Sequence, residues 1–275
     1  MRRMTHAADW SRAADPQRRI GHAVEFHAEI GSTNDRVREL LAGSFDGEGV
    51  AVVADLQTAG RGRRGRVWLS PPGVNLMASV GFQPAIATEL TSLLGLSVGL
   101  ALRSACRAVV PAAAGLKIRW PNDLVDGAGR KVAGVLIETV LAGGRLTEAI
   151  IGMGINANWR RDEMPAEIAA VATSLCELGG EPVDRPALLD RLLDALDAEV
   201  RALERGESPV ARARASSWLD GRAVEVDLGE QLIAGRVAGL GDDGSLLLDA
   251  AEGRFSLTMG EVVRVSDAAP AAIAR

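Results

Sequence analysis

Apolar residues fall along this chain in two patterns, and the change between them divides it. Through residue 217 they come in short unbroken runs: GVAVVADLQ from Gly49, VNLMASVGF from Val74, LKIRW from Leu116, KVAGVLIETV from Lys131 and LTEAIIGMGIN from Leu146. Consecutive apolar, β-branched positions describe strands covered on both faces. Pro121 stops the third run, DGAGR turns the chain into the fourth, and AGG marks a hairpin between the last two. Elsewhere the spacing is that of a helix. STNDRVRELLAG puts Val37, Leu40 and Leu41 on one face, with Ser32, Thr33 or Asn34 as cap and Gly43 as stop. A longer apolar helix covers Leu93–Val110, and DRPALLDRLLDALDAEVRALERG is amphipathic, opened by Asp184 before Pro186 and ended by Gly206. From Trp218 short stretches alternate apolar with polar, broken at Gly229–Glu230, Gly241 to Gly244, Glu252–Gly253 and Gly260, the pattern of a small β-barrel module. The predicted organisation is an α+β domain over residues 21–217 and an all-β domain over 218–266. Flexible tails are expected at 1–20 and 267–275.

Composition narrows the class. With 275 residues, 47% hydrophobic and 24% charged, the chain has the make-up of an ordinary globular protein with one sizeable domain and a small one. Aromatics are only 3%, with no Tyr, so the core must be aliphatic. A formal net charge of -5 argues against broad affinity for nucleic acid or an anionic membrane, and any basic function must be local. Cys106 and Cys176 lie far apart in apolar surroundings without metal-ligand spacing and read as buried thiols of a reducing compartment. His6, His22 and His27 all sit near the N-terminus, which excludes most His-centred catalytic and zinc arrangements. The apolar stretch Ser92 to Val110 is interrupted by Arg103 and Arg107 and is a core helix, not a membrane span. No apolar leader precedes it. The expectation is a soluble, cytoplasmic protein.

Four stretches carry more chemistry than folding demands. In QTAGRGRRGRVW, four arginines (Arg61, Arg63, Arg64, Arg66) alternate with Gly60, Gly62 and Gly65 between two predicted strands. Glycines free the backbone, and guanidinium groups supply forked donors matched to carboxylate and phosphate. A solvated loop, a lid over a small anion and a nucleic-acid tract all fit this composition. The acidic background, and Trp68 as the lone nearby aromatic, weigh against the last. In RWPNDL, Asn122 and Asp123 suit an Asx turn, the reading the stretch favours by itself, and an Asp just past a strand end also suits Mg²⁺ or a ribose hydroxyl. Lys131 opens an apolar strand either as an edge charge or as a cation reaching a carboxylate and an α-phosphate. Gly152 and Gly154 inside a buried strand imply close approach of backbone or ligand. A third glycine and a helix start are missing there, so this is no dinucleotide fingerprint. No nucleophile elbow, phosphate-binding lysine loop or metal cluster is present.

In this order and spacing, STN, QTAGRGRRGRVW, RWPNDL, RKVAGVLIE and IGMGIN resemble the biotin protein ligases, and the alternating module at 218–265 corresponds to that family's small C-terminal barrel. The resemblance implies a class II synthetase-like mixed sheet with flanking helices plus an SH3-like barrel. It implies biotin and ATP as substrates, Mg²⁺, and transfer of biotin from biotinoyl-5′-AMP to a lysine of a biotin carboxyl carrier domain of the acetyl-CoA or pyruvate carboxylase type. Lys131, Arg63 and Arg61 take catalytic roles. Ser32, Thr33, Asn34, Gln57, Gly60, Arg61, Gly62, Arg63, Lys131, Gly134 and Gly152 surround biotin, with Arg61, Gly62 and Arg63 in a lid that orders over it. Arg63, Arg66, Trp68, Asn122, Lys131 and Asn156 meet the nucleotide, and Asp123 the Mg²⁺. A lipoate or octanoate ligase of the same fold and a non-catalytic biotin-binding regulator are the alternatives, and the arginine stretch favours biotin.

One position departs from the family: the residue before WPND, usually Lys, is Arg119. It keeps the charge on a bulkier, forked group. STN begins at residue 32, which leaves too little chain for the DNA-binding domain some members carry, so a ligase without repressor function is expected, as a monomer or homodimer.

Overall fold

The unbroken apolar runs become strands of one mixed sheet. In the computed structural model, which describes residues 9–43, 47–86, 90–143 and 145–266, the chain runs β1 (Val24–His27), α1 (Thr33–Gly43), β2 (Ala51–Ala54), β3 (Leu76–Phe82), α2 (Thr91–Val109), β4 (Lys117–Arg119), β5 (Asp123–Val125), β6 (Lys131–Ala142) and β7 (Arg145–Ile155). Across the sheet the order is β1-β2-β3-β7-β6-β5-β4. Only the pair β1 and β2 is parallel. Strands β2 and β3 are buried at every position because both faces are covered. Val52 and Ile150 pack with Val37, Leu40 and Leu41 of α1 on one side. Ala51, Val53, Ala78, Val80 and Ile151 join the main core on the other. Gly81 lets α1 settle this close, since a Cβ there would stand 2.5 Å from a Val37 methyl.

Short helices α3 (Ala166–Ala169) and α4 (Leu175–Gly179) lead to α5 (Arg185–Glu204) and α6 (Val210–Ala215). Asp184 caps α5 as predicted, its side chain accepting the Ala187 N–H at 3.1 Å, with Pro186 in the first turn. Helix α2 is long and apolar enough to cross a membrane, yet 61% of that stretch is buried inside the fold, which makes it a core helix. Cys106 on α2 and Cys176 on α4 are buried free thiols, and burial pushes Cys106 up to about 12.

The alternating region forms β8 (Ala223–Asp227), β9 (Leu232–Leu240), β10 (Leu246–Ala250), β11 (Gly253–Leu257) and β12 (Glu261–Ser266), one antiparallel sheet in the order β11-β10-β9-β8-β12. Gly229, Gly244, Gly253 and Gly260, all at predicted breaks, have positive φ. Val224, Val226, Leu246 and Leu248 belong to the same core cluster as the larger sheet's helices. Trp120 Nε1 donates to the Gly244 carbonyl at 3.3 Å, and Ser92 Oγ to the Asp243 carbonyl at 2.6 Å, fixing one sheet on the other.

The expectation of a flexible tail over 1–20 fails for the part described. Trp10 is 4% exposed and stacks on Phe26, with ring centroids 5.8 Å apart, while Ile20 is fully buried. The cause is an acidic stripe on α5. Arg18 donates to Asp190 at 2.6 Å and to Asp194 at 2.9 Å, and the Arg19 and Ile20 N–H groups donate to Asp197 at 3.2 and 3.0 Å. Residues 1–8, and the expected tail at 267–275, lie outside the described residues.

Candidate active site

Strand register sets the shape of the site. Gly134 on β6 lies opposite Gly154 on β7, Leu136 opposite Gly152, and Gly152 in turn opposite Ser79 on β3. Positions two apart share a face, so three missing side chains cut a trough across the middle of the sheet. A functional side chain fills each gap. A Cβ on Gly152 would lie 2.3 Å from Asn34 Oδ1, one on Gly154 2.5 Å from the Trp68 ring, and one on Gly134 2.7 Å from Lys131 Cε and Nζ. The glycines predicted for close approach serve to admit these three groups.

One end of the trough is lined by uncharged side chains, with the Asn34 amide held by Glu138, Nδ2 donating to its carboxylate at 3.1 Å. The first turn of α1 delivers Thr33 and Asn34, with Ser32 just before it, all buried. The Thr33 N–H and hydroxyl both donate to Gln57 Oε1, at 2.8 and 3.0 Å. Ser79 Oγ donates to Asn34 Oδ1 at 2.6 Å, and the Thr33 and Ser79 hydroxyl oxygens are 2.7 Å apart. Three oxygen–oxygen contacts thus share two hydroxyl protons, and one contact is always without a proton. A hydroxyl that turns to a ligand therefore gives up little.

The other end is cationic, and most of its charge is already matched. Lys131 Nζ is 2.7 Å from Asp123 Oδ1 and lies over the Trp68 ring, 5.5 Å from its centroid. Arg119 donates to the second carboxylate oxygen, Oδ2, at 2.6 Å. Burial alone would raise the Asp123 carboxyl, but the two cations hold it below its ordinary value. Arg61 stands instead by the first turn of α1, clasping Asp35 at 2.8 and 2.7 Å, and this hydrogen bonding, with help from Arg38, lowers the Asp35 carboxyl to about 2 against the opposing effect of burial. Arg63 donates to Asn122 Oδ1 at 3.3 Å and to the Gly260 carbonyl at 3.1 Å, both neutral oxygens. Burial pushes its guanidinium below the ordinary value; Arg64 and Arg66 add to the shift and Glu261 opposes it. Asn122 is itself held, its Nδ2 donating to the Val135 carbonyl at 2.7 Å. The arginine loop turns back on itself here, with the Gly62 N–H on the Arg66 carbonyl at 2.6 Å and the Trp68 N–H on the Gly60 carbonyl at 3.0 Å.

One pocket brings together Ser32, Thr33, Asn34, Gln57, Arg61, Gly62, Arg63, Trp68, Asn122, Lys131, Gly134 and Gly152. Gly154 is also a wall, with Val135, Leu136 and Met153. The last three looked like ordinary strand residues, and only the pairing of Leu136 with Gly152 marks them.

Four expected positions fall outside this pocket. Gly60 serves the loop, its carbonyl accepting from Trp68. Arg66 is exposed and pairs with Glu261. Asn156 is buried at the end of β7, its Nδ2 donating to the Thr173 carbonyl at 3.1 Å and the Lys131 carbonyl at 3.3 Å. Asp123 does not fit a metal, because both its carboxylate oxygens face cations of the chain. Among the described residues no group of three or more His, Cys, Asp or Glu gathers to hold one.

The Arg119 departure also finds its place. Its partner is Asp123 and not the pocket, so it acts on Lys131 through the carboxylate the two share.

A trough with a neutral hydrogen-bonding end and a cationic end has counterparts among known proteins. The model of the biotin/lipoate A/B protein ligase family matches residues 27–156. The chain is 34% identical over 238 residues to a bifunctional ligase/repressor BirA of Bacillus spizizenii, covering 85% of this chain and 71% of that one. It is 34% identical over 244 residues to the biotin–[acetyl-CoA-carboxylase] ligase of Mycobacterium tuberculosis, covering 86% and 87%. Among solved structures, the biotin protein ligase from Aquifex aeolicus in complex with biotin and ATP superposes with a TM-score of 0.71 at 32% identity, covering 89% of this chain and 97% of that one. This chain belongs to the biotin/lipoate A/B protein ligase family.

Proposed function

We propose that this protein is an ATP-dependent ligase that activates biotin as biotinoyl-5′-AMP and passes it to a lysine of a biotin carboxyl carrier domain. The observation that carries the reading is the polarity of the trough, neutral donors and acceptors at Thr33, Asn34 and Gln57 towards one end, the Arg63 guanidinium and Lys131 ammonium at the other, and Arg61 at the rim beside Asp35. Biotin has that polarity: an uncharged ureido head with N–H and C=O groups, an apolar chain and a terminal carboxylate. Lipoate and octanoate offer the neutral end nothing to hydrogen-bond.

In the first step a carboxylate oxygen of biotin attacks the α-phosphorus of ATP. The bond to the β-phosphate oxygen breaks, and pyrophosphate leaves. Lys131 and Arg63 face the oxygens on which negative charge gathers, and fixed cations at that point lower the barrier. Trp68 covers the trough beside Lys131, and its indole N–H has no hydrogen-bond partner among the described residues, leaving a buried donor for the ligand. The loop above keeps water from the mixed anhydride. In the second step the neutral amine of the carrier lysine attacks the acyl carbon, AMP departs with its electron pair, and the amide nitrogen loses a proton. Mg²⁺ accompanies ATP, and no residue of this chain is assigned to hold it. In this reading the carrier is of the acetyl-CoA or pyruvate carboxylase type and the reaction runs in the cytoplasm, in keeping with the relatives named as biotin–[acetyl-CoA-carboxylase] ligases.

Biotin-dependent ATP–pyrophosphate exchange, with lipoate and octanoate as parallel acids, tests the assignment. Exchange with biotin alone is expected. Exchange with lipoate or octanoate in its place would move the protein to the other branch of its family, and no exchange with any acid would leave a binding protein.

A further inference from the structure

The arginine loop is fastened to the smaller sheet as well as to the domain whose pocket it covers. Arg64 reaches Asp227 at the end of β8 twice, Nη1 donating to the carboxylate at 2.5 Å and Nη2 to the backbone carbonyl at 2.9 Å. Arg66 pairs with Glu261 at the start of β12, and Arg64 stands 3.9 Å from that same carboxylate. Between these two contacts, Arg63 donates to the Gly260 carbonyl at 3.1 Å. Asp227 and Glu261 are direct partners in the β8–β12 ladder, so their carboxylates stand side by side at one end of the C-terminal sheet. Two adjacent carboxylates on one edge repel each other, and two arginines are the natural complement.

Arg64 makes its contacts from a left-handed backbone, φ 55 and ψ 36. Residues with a full side chain rarely adopt that conformation, and it persists where surrounding contacts over-determine it. The contacts on Arg64 are those to Asp227 and Glu261.

Building on the activity proposed above, we infer that the C-terminal sheet is the latch of the arginine loop. Asp227 and Glu261 are positioning residues that hold Arg63 over the pocket by gripping Arg64 and Arg66. They govern how long the activated acid stays enclosed before transfer. Both grips are partly exposed ion pairs, so the latch opens readily and tightens at low salt.

The test uses the whole chain carrying Asp227→Asn with Glu261→Gln. Asn at 227 keeps an acceptor for the Gly229 N–H, which Asp227 Oδ1 now binds at 2.6 Å, so the turn is preserved. Two exposed ion pairs together correspond to about a tenfold change in an equilibrium. Trypsin is expected to cut the ligand-free double variant between Arg61 and Arg66 about tenfold faster than wild type. With biotin and ATP but no acceptor, AMP release is expected to quicken by about the same factor as the anhydride escapes to water, and the KM for ATP to rise more than kcat falls. The exchanged pair, Arg64→Asp with Asp227→Arg, should restore slow cutting relative to Arg64→Asp alone. Cutting and AMP release equal to wild type in the double variant would overturn the latch, as would an exchanged pair no slower to cut than the single variant. Pyrophosphate exchange by wild type is the control. Its failure strikes at the proposed activity, while the trypsin comparison still decides the latch.

Discussion

At one end of the trough Thr33, Asn34, Gln57 and Ser79 are uncharged and hydrogen-bonded to one another; at the other, Lys131 carries charge and rests on Asp123, and Arg63 rests on neutral oxygens. The contrast follows from what burial does to each kind of group. Neutral dipoles satisfy one another when the site is empty and lose little on exchanging one partner for a ligand. A cation taken from water is costly without an opposite charge, and the chain gives one to Lys131 while leaving Arg63 on neutral oxygens. The ligand's uncharged head therefore meets a surface already in place. Its carboxylate and phosphates must compete with Asp123 for Lys131.

The widest break is expected at the cationic end. Lys131→Ala should slow biotin-dependent pyrophosphate exchange about 10²–10³-fold, the loss typical of one donor aimed at developing charge. Circular dichroism should be unchanged and biotin affinity largely kept. A rate within a few-fold of wild type would take Lys131 out of the phosphoryl-transfer step.

The neutral end should fail differently. Gly152→Ala places a methyl 2.3 Å from Asn34 Oδ1, and overpacking of about 1–3 kcal/mol should raise the biotin Kd roughly ten- to hundredfold. Saturating biotin should bring kcat back near wild type. A kcat loss as large as that of Lys131→Ala would erase the distinction between the ends.

Arg119→Lys sharpens the comparison. Because Arg119 acts on Asp123 and stands outside the pocket, a second cation of the same charge should change the exchange rate by less than about threefold. A drop of tenfold or more would mean that the forked geometry on Asp123 sets where Lys131 stands.

The smallest effect is in acid. The Asp35 carboxyl sits at about 2 in the folded protein, against an ordinary 3.8. A depressed value means that the Arg61 pair stabilises the fold fully above pH of about 4, and that this contribution fades as pH falls through 3.8 towards 2. The pair is nearly half exposed and solvent-screened, so under about 1 kcal/mol is at stake. The Tm difference between wild type and Asp35→Asn should narrow over that range. A constant difference would show that the pair contributes nothing to stability.

Much of this was legible in the sequence, and the exceptions share a character. The strands of the five apolar runs, the long helices and the C-terminal breaks follow from periodicity and turn chemistry, local properties that each segment carries wherever it lies, whereas β1 and β5, four and three residues long and outside those runs, carry too little pattern to show. Gly152, Gly154 and Lys131 announced themselves as residues that a plain buried strand does not want, and Gly134 came from the family resemblance. Asn156 ties the end of β7 to the Lys131 and Thr173 carbonyls, a bracing its local sequence does not announce. Trp10 and Ile20 looked like tail, since the stripe of Asp190, Asp194 and Asp197 that anchors their segment lies far along the chain.

By itself, then, the sequence determined the strands of the five apolar runs, the three long helices and that an arginine-rich loop stands near glycine-cut strands, because propensity, period and composition act over a few residues. The short strands β1 and β5 escaped it. Only the tertiary structure decided that Asn34, Trp68 and Lys131 each fill the space of a missing Cβ, that Asp123 is occupied by Arg119 and Lys131, and that Arg64 and Arg66 answer to Asp227 and Glu261 on another sheet. Register and packing bring those groups within a few ångströms, and a charge has no partner until the fold places one beside it.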